Sequence, residues 1–500
     1  MSRQALVSIV LFASLGLGCE LDASGLRGAG AGDAGTMDAA SSDDAGHDAG
    51  RDAGTPPPLD AGIDAGPCGG ACPECSTCEG DTCVPAPAGT PCSGGTCLAG
   101  LCCNGCVSAG ACTPGVDRTA CGTSGGACAT CTAAQSCEAG RCGTRTTAII
   151  ARAGGSHVCA TNPSGALYCW GKDASGQLGD GATSMAMPTP VRAGAGTPWL
   201  AIGPGAEHTC GLLSGLLTPY CWGNNAAGQL GLGDTADRTS PTALPSGGVY
   251  IVIAAGAAHT CGVRNDLSLW CWGDNASGEL GIATTEPTTV PARVGTSTGW
   301  TDVTTGWGHS CALRGSALFC WGDNTTGAVG DDTTTNATSP VAIGSSLPWR
   351  QVSAGADHTC GVTHANELYC WGDNSRGQLG DDTTTQRRVP TRIGADRPWL
   401  TVSAGRHHTC AVDLARHIAC WGSNSYGQAG IDDAAISGVS SPTTLGTAAD
   451  WADVAASGGF TCARKLDGRL FCWGLNDSGQ LQDVAFGGRS LVPAELRVPP

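Results

Sequence analysis

Five hundred residues with 79 glycines and only 14% charged side chains describe a turn-dense chain and exclude an ordinary helical enzyme. A net charge of -17 repels phosphate backbones, which excludes nucleic acid as a partner. The 31 cysteines divide as one at Cys19, sixteen from Cys68 to Cys142 and fourteen beyond, so only Cys19 stands outside an even set.

Residues 1–18 carry Arg3, an apolar stretch from Ala5 to Leu17 and small residues before Cys19. That is the shape of an export signal, too short to cross a bilayer as a mature helix. It resembles a bacterial lipoprotein signal, which implies acylation of Cys19 and attachment to the outer membrane or cell surface; ordinary secretion with cleavage nearby is the alternative. Residues 19–67 repeat Asp-Ala-Gly, as at Asp33-Ala34-Gly35 and Asp60-Ala61-Gly62, around Pro56-Pro57-Pro58. With almost no bulky apolar side chain, this segment is expected to be a disordered tether.

Residues 68–143 hold sixteen cysteines among Gly, Ala, Thr and Pro. Cys72-x-x-Cys75-x-x-Cys78 would suit zinc in a reducing compartment, but after export the thiols oxidise, and a small disulfide-rich stalk is the preferred reading. Its connectivity cannot be read from spacing.

From residue 146 to 498 one phrase returns seven times, most clearly as His358-Thr359-Cys360, then Leu368-Tyr369-Cys370-Trp371-Gly372, Asn374 and Gly377-Gln378-Leu379-Gly380. The Trp-Gly tryptophans are Trp170, Trp222, Trp272, Trp321, Trp371, Trp421 and Trp473, a period close to fifty residues. Each copy offers four short β segments separated by Gly, Asn and Asp turns, and no window with helical spacing. This predicts a toroid of four-stranded blades. The motifs resemble the regulator of chromosome condensation repeat family, which implies an all-β, seven-bladed β-propeller. That family's propellers mostly act as interaction platforms.

The fourteen repeat cysteines form seven pairs: Cys159 with Cys169, Cys210 with Cys221, Cys261 with Cys271, Cys311 with Cys320, Cys360 with Cys370, Cys410 with Cys420, and Cys462 with Cys472. Within each copy the two keep their places relative to the flanking motif while the turn between them changes length. Facing positions on adjacent antiparallel strands would bring them within disulfide reach. Seven intrablade bridges are expected; free thiols or His/Cys metal sites are the rivals, and no metal is expected because no third and fourth ligand converge. The repeated His157, His208, His259, His309, His358 and His408 are expected to serve the blades by bonding a neighbouring loop carbonyl, and Phe460 replaces the seventh. Trp199, Trp300, Trp349, Trp399 and Trp451, at the start of first strands, are expected to pack the blades.

No phosphate loop, nucleophile elbow or metalloprotease motif is present, so no catalytic residue and no cofactor is nominated. Acidic pairs such as Asp331-Asp332, Asp381-Asp382 and Asp432-Asp433 lack the alternation of a calcium loop. Specificity should lie where the repeat is broken. Trp307 stands where other copies carry Ala206, Ala257, Ala356 and Arg406, and with Arg406, His407, Arg264, Arg314 and Tyr426 it forms the expected contact set. The expected function is protein binding at the cell surface or in the envelope, with membrane contact through the lipid anchor only. An enzyme using the central face, such as a lyase, and a structural envelope component are the alternatives.

Overall fold

The computed structural model describes residues 151–499, apart from 195–197, 216, 246–247 and 483–486, together with short strands between Ser76 and Thr144. The tether, Cys19 and the disulfide map of the stalk lie outside the described residues. The chain forms two compact units. In the first, Ser76–Glu79 pairs with Thr82–Pro85, and the register sets Cys78 opposite Cys83; in another hairpin of the same stretch Cys97 stands opposite Cys102.

The second unit contains seven separate four-stranded antiparallel sheets, each built from consecutive strands. Blade five is typical: Trp349–Ala354, His358–Thr363, Leu368–Gly372 and Arg387–Ile393. Its second strand is buried along its whole length, whereas its fourth is half-buried or exposed up to its last residue, the buried Ile393. Middle strands are therefore covered on both faces by neighbouring blades, and fourth strands form the outer rim. Every fourth strand carries a proline, as at Pro241, Pro291, Pro340 and Pro390. Proline removes a ladder donor, so it is tolerated on this outer edge, where it also discourages pairing with another chain.

The Trp-Gly step follows from the same geometry. The ladder between third and fourth strands shifts register between Cys370 and Gly372, and Gly372 has φ 104°. A Cβ there would lie 2.6 Å from the carbonyl oxygen of Asp357, so only glycine fits. The preceding tryptophan then enters the interface with the previous blade. Trp371 is fully buried in a cluster with Cys311, Leu313, Cys320 and Val329 of blade four, its ring centroid 5.7 Å from that of Trp349. Its indole Nε1 donates to the Ala328 carbonyl at 2.9 Å, and Trp222, Trp272, Trp321 and Trp473 make the equivalent bond.

The paired cysteines stand directly opposite each other, as Cys360 does Cys370, and their sulfurs are bonded in all seven blades with Cα atoms 4.1 Å apart. These bridges lie inside the clusters shared with the next blade, where they add apolar area as well as a cross-link.

The ring closes without strand exchange. Gly488–Leu496 pairs with Leu470–Asn476, so the last blade is complete in its own copy. It meets blade one through Phe460, Leu470, Leu481 and Leu496 packed with Val158, Ala160 and Trp170, and Trp170 Nε1 donates to the Gln480 carbonyl at 3.0 Å.

Candidate functional site: the mouth of the ring

First strands line the axis, and their ends are tied by hydrogen bonds between blades. Gly155 N–H donates to Gly205 O, Ala206 to Gly256, Ala257 to Gly306, Trp307 to Gly355, Ala356 to Gly405, and Arg406 to Ser457. At the seventh junction the Ser457 hydroxyl donates to Gly154 O. The belt explains the glycine three residues before each histidine: a Cβ on Gly355 would lie 2.5 Å from Gly405 O and 2.7 Å from Cε1 of His358.

The histidines reinforce the same junctions. Expected to bond loop carbonyls, they instead bond hydroxyls of the next blade: His157 Nε2 to Thr209 Oγ1 at 2.9 Å, His259 to Ser310 at 2.8 Å, and likewise His208, His309, His358 and His408. Each hydroxyl commits its hydrogen to a carbonyl of the histidine's own blade, as Thr209 does to Gln177 at 2.9 Å. The imidazole Nε2 must therefore be the donor, which fixes a neutral tautomer. Burial pushes His157, His208, His259, His358 and His408 down to about 3 and His309 to about 4. These are structural relays, with no free base to offer a substrate.

The seventh junction breaks the pattern on both sides at once. Phe460 replaces histidine, Val158 replaces the threonine it would meet, and both are fully buried in one cluster. An apolar contact has replaced a hydrogen bond.

Above the belt lies a shallow depression of about 90 Å³, lined by the strand ends of all seven blades. The donor residues of the belt are Gly155, Ala206, Ala257, Trp307, Ala356 and Arg406, with Gly458 in the corresponding place of blade seven. Five are small. Trp307 is 40% exposed, and the Arg406 guanidinium lies over its ring at 4.4 Å from the centroid. The pair reaches across blade five, where Ala356 is buried to 2%. Tyr426, 48% exposed, lies on the same face, close enough to Gly459 that a Cβ there would meet its ring at 3.3 Å.

Asp357 and His407 follow in the same loops. Burial raises the Asp357 carboxyl, with the nearby Asp373 and Asp323 adding to the effect and Arg406 opposing it. Burial and the adjacent Arg406 lower His407. On the blade one and two side, Lys172 and Glu207 form an ion pair. The acidic group at Asp323, Asp357 and Asp373 was missed in the sequence; the Asp357 position is Glu207 in blade two and His407 in blade six but small in the other four, as Ser156, Ala258, Gly308 and Gly459.

Two of the expected contact residues are elsewhere. Arg264 pairs with Tyr250 and Arg314 with Trp300, at the opposite ends of the strands from the mouth. A six-residue strand spans roughly 20 Å, so neither can share a footprint with Trp307 at the mouth. Both are occupied: Arg264 lies 3.7 Å from the Trp270 centroid and Arg314 4.6 Å from that of Phe319. Among the described residues, no group of three or more His, Cys, Asp or Glu is gathered to hold a metal ion.

Seven four-stranded sheets around an axis, each from one sequence repeat, define a β-propeller of the repeat type. The RCC1-like domain model matches residues 218–496 and the regulator of chromosome condensation (RCC1) repeat model residues 164–212. The chain belongs to the RCC1-like domain family.

Among curated relatives, it is 39% identical over 112 residues to the human probable E3 ubiquitin-protein ligase HERC3, covering 21% of this chain and 10% of that protein. It is 37% identical over 114 residues to the ultraviolet-B receptor UVR8 of Arabidopsis thaliana, covering 22% and 26%. The shared part is thus a small share of either relative. Among solved structures, yeast RCC1 (Prp20) bound to Kap60 superposes with TM-score 0.59 at 20% identity over 66% of this chain and 83% of that one. Human WBSCR16 gives 0.60 at 20% identity over 67% and 94%. At such identities these structures speak for the fold.

Proposed function

We propose that this protein is an exported, lipid-anchored binding module whose propeller mouth docks another protein at the cell surface or in the envelope. The observation that carries this reading is the Trp307–Arg406 stack, standing exposed on a belt whose other positions are small. Tryptophan and arginine are the side chains that most often anchor interfaces, and a stack held in place binds with less loss of freedom than two loose side chains. The yeast propeller, solved in complex with Kap60, is consistent with a fold used for docking. The six repeat histidines, buried and neutral, serve the blades, which leaves the exposed stack as the feature that speaks for binding.

The signal-like sequence of residues 1–18 and the odd cysteine count, which leaves Cys19 over, support export and anchoring. The test captures envelope proteins on the purified propeller and on its Trp307→Ala and Arg406→Ala variants in parallel, with chemical cross-linking at the mouth. A partner retained by the parent and lost at least tenfold by both variants supports the reading. Retention unaffected by either change, or turnover of an envelope polysaccharide with no protein retained, overturns it. Incorporation of labelled palmitate that is lost in Cys19→Ala tests the anchor separately.

A further inference from the structure

The two faces of the ring differ in charge. Loops joining first to second and third to fourth strands form the mouth face, and every blade contributes at least one carboxylate to them. Among the described residues of these loops, the only Lys or Arg are Arg376 and Arg406. Lys172, Arg238 and Arg387, at the strand ends beside them, are each taken up in an ion pair with a carboxylate of the same face, Glu207, Asp234 and Asp381. On the far face most carboxylates are neutralised, as Glu367, Asp413, Asp450 and Asp467 are by Arg392, Arg397, Lys465 and Arg469.

Acidity without a counter-charge gathers beside Trp307. Asp323 N–H donates to Gly308 O at 2.7 Å and Asp373 N–H to Asp357 O at 2.8 Å, so both outer loops are pinned to the belt loop of their own blade. A Cβ on Gly308 would meet Asp323 Cβ at 3.1 Å, which sets that carboxylate against the residue next to Trp307. Thr326 Oγ1 donates to Asp357 O at 2.9 Å and ties blade four to blade five. Asp323, Asp357 and Asp373 thus border the Trp307–Arg406 stack, and none of them forms an ion pair. Donors from their own loops hold them in place without cancelling charge, as Ser375 Oγ and Gln378 Nε2 do for Asp373 at 3.0 and 2.7 Å.

We infer that the partner docked at the mouth is basic, presenting a Lys- or Arg-bearing segment whose stems cover Trp307 and whose cationic heads stand among Asp323, Asp357 and Asp373. This rests on the docking role proposed above and adds the chemistry of the partner. Lys and Arg suit such a border, because their stems lie along apolar surface while their heads stay wet, and an exposed indole attracts cations. The field of the whole face would draw a basic partner in and turn an acidic one away before contact.

The test is fluorescence anisotropy of a labelled oligo-arginine peptide, with oligo-glutamate of the same length as its opposite. Each is titrated with the full chain and three variants: Trp307→Ala, Asp323→Asn with Asp373→Asn, and Asp432→Asn with Asp433→Asn. Asn224 fills the Asp373 position in blade two and accepts bonds from Ala226 N–H and Gln229, so Asn at these places is expected to fold. The blade six pair removes the same charge from another loop of the same face. The parent should bind oligo-arginine and leave oligo-glutamate free. Trp307→Ala and the Asp323 and Asp373 pair should each weaken binding about fivefold, and the blade six pair less than about twofold. The aspartates before residue 68 are common to all four proteins, so a difference between them reports the mouth. No binding by the parent, equal weakening by the two aspartate pairs, binding untouched by Trp307→Ala, or equal binding of oligo-glutamate would overturn the inference. An envelope protein lost by Trp307→Ala but kept by the Asp323 and Asp373 pair would leave docking at the mouth standing and the basic partner refuted.

Discussion

The junction between blades seven and one makes a quantitative prediction, because two substitutions there are complementary. Phe460→His would place an imidazole in a fully buried apolar cluster against Val158, where its Nε2–H has no acceptor. Lost packing and a buried unpaired donor together should destabilise the ring by about 3–5 kcal/mol. Val158→Thr alone should change stability by no more than about 1 kcal/mol, since the new hydroxyl can donate to the Gln480 carbonyl, as its counterparts do at Gln177 and Gln229. The double variant rebuilds the relay of the other six junctions, so the two changes should couple favourably by roughly 1–2 kcal/mol. Guanidinium unfolding of the four proteins, with disulfides intact, measures this. Additivity within about 0.5 kcal/mol would refute the claim that Phe460 and Val158 meet as a pair.

The buried histidines predict acid sensitivity. Unfolded imidazoles take up protons below pH 6.5 whereas the folded ones resist until about 3, so stability should fall as pH drops through that window. Six such groups lose roughly 1.4 kcal/mol each per pH unit, less an offset from carboxyls such as Asp357 whose folded values are raised. Unfolding midpoints followed from pH 7 to 5 should show the decline, and a flat profile would contradict the neutral tautomers. Replacing both members of one bridge, Cys360→Ser with Cys370→Ser, should cost about 2–3 kcal/mol by chain entropy, and more from hydroxyls buried beside the Trp399 and Trp421 cluster. Denaturant midpoints check it, and an unchanged midpoint would count against the bridge.

Much of the architecture was legible because each blade is specified locally. Trp-Gly, the paired cysteines and the Asn-x-x-Gly-Gln loop recur at one period and act within a copy or on the adjoining one. What stayed hidden depended on partners a whole copy away. The acceptor for His157 is Thr209, and nothing near His157 announces it. Phe460 read as a blade that manages without histidine, whereas its meaning lies in Val158 at the other end of the repeat array. The error over Arg264 and Arg314 was of another kind. Both close a second strand that begins at the mouth, so strand direction alone sets them at the far end, where blade aromatics already hold them.

Because the last sheet keeps its own final strand, the backbone has no privileged starting point. A circularly permuted molecule that opens at the Gly394–Pro398 connection and joins the old ends by a linker would cut no ladder and no sulfur bridge. Such rearranged genes should give the same doughnut. Whole copies could likewise be gained or deleted in evolution, with the greasy Phe–Val handshake marking where the circle is meant to shut.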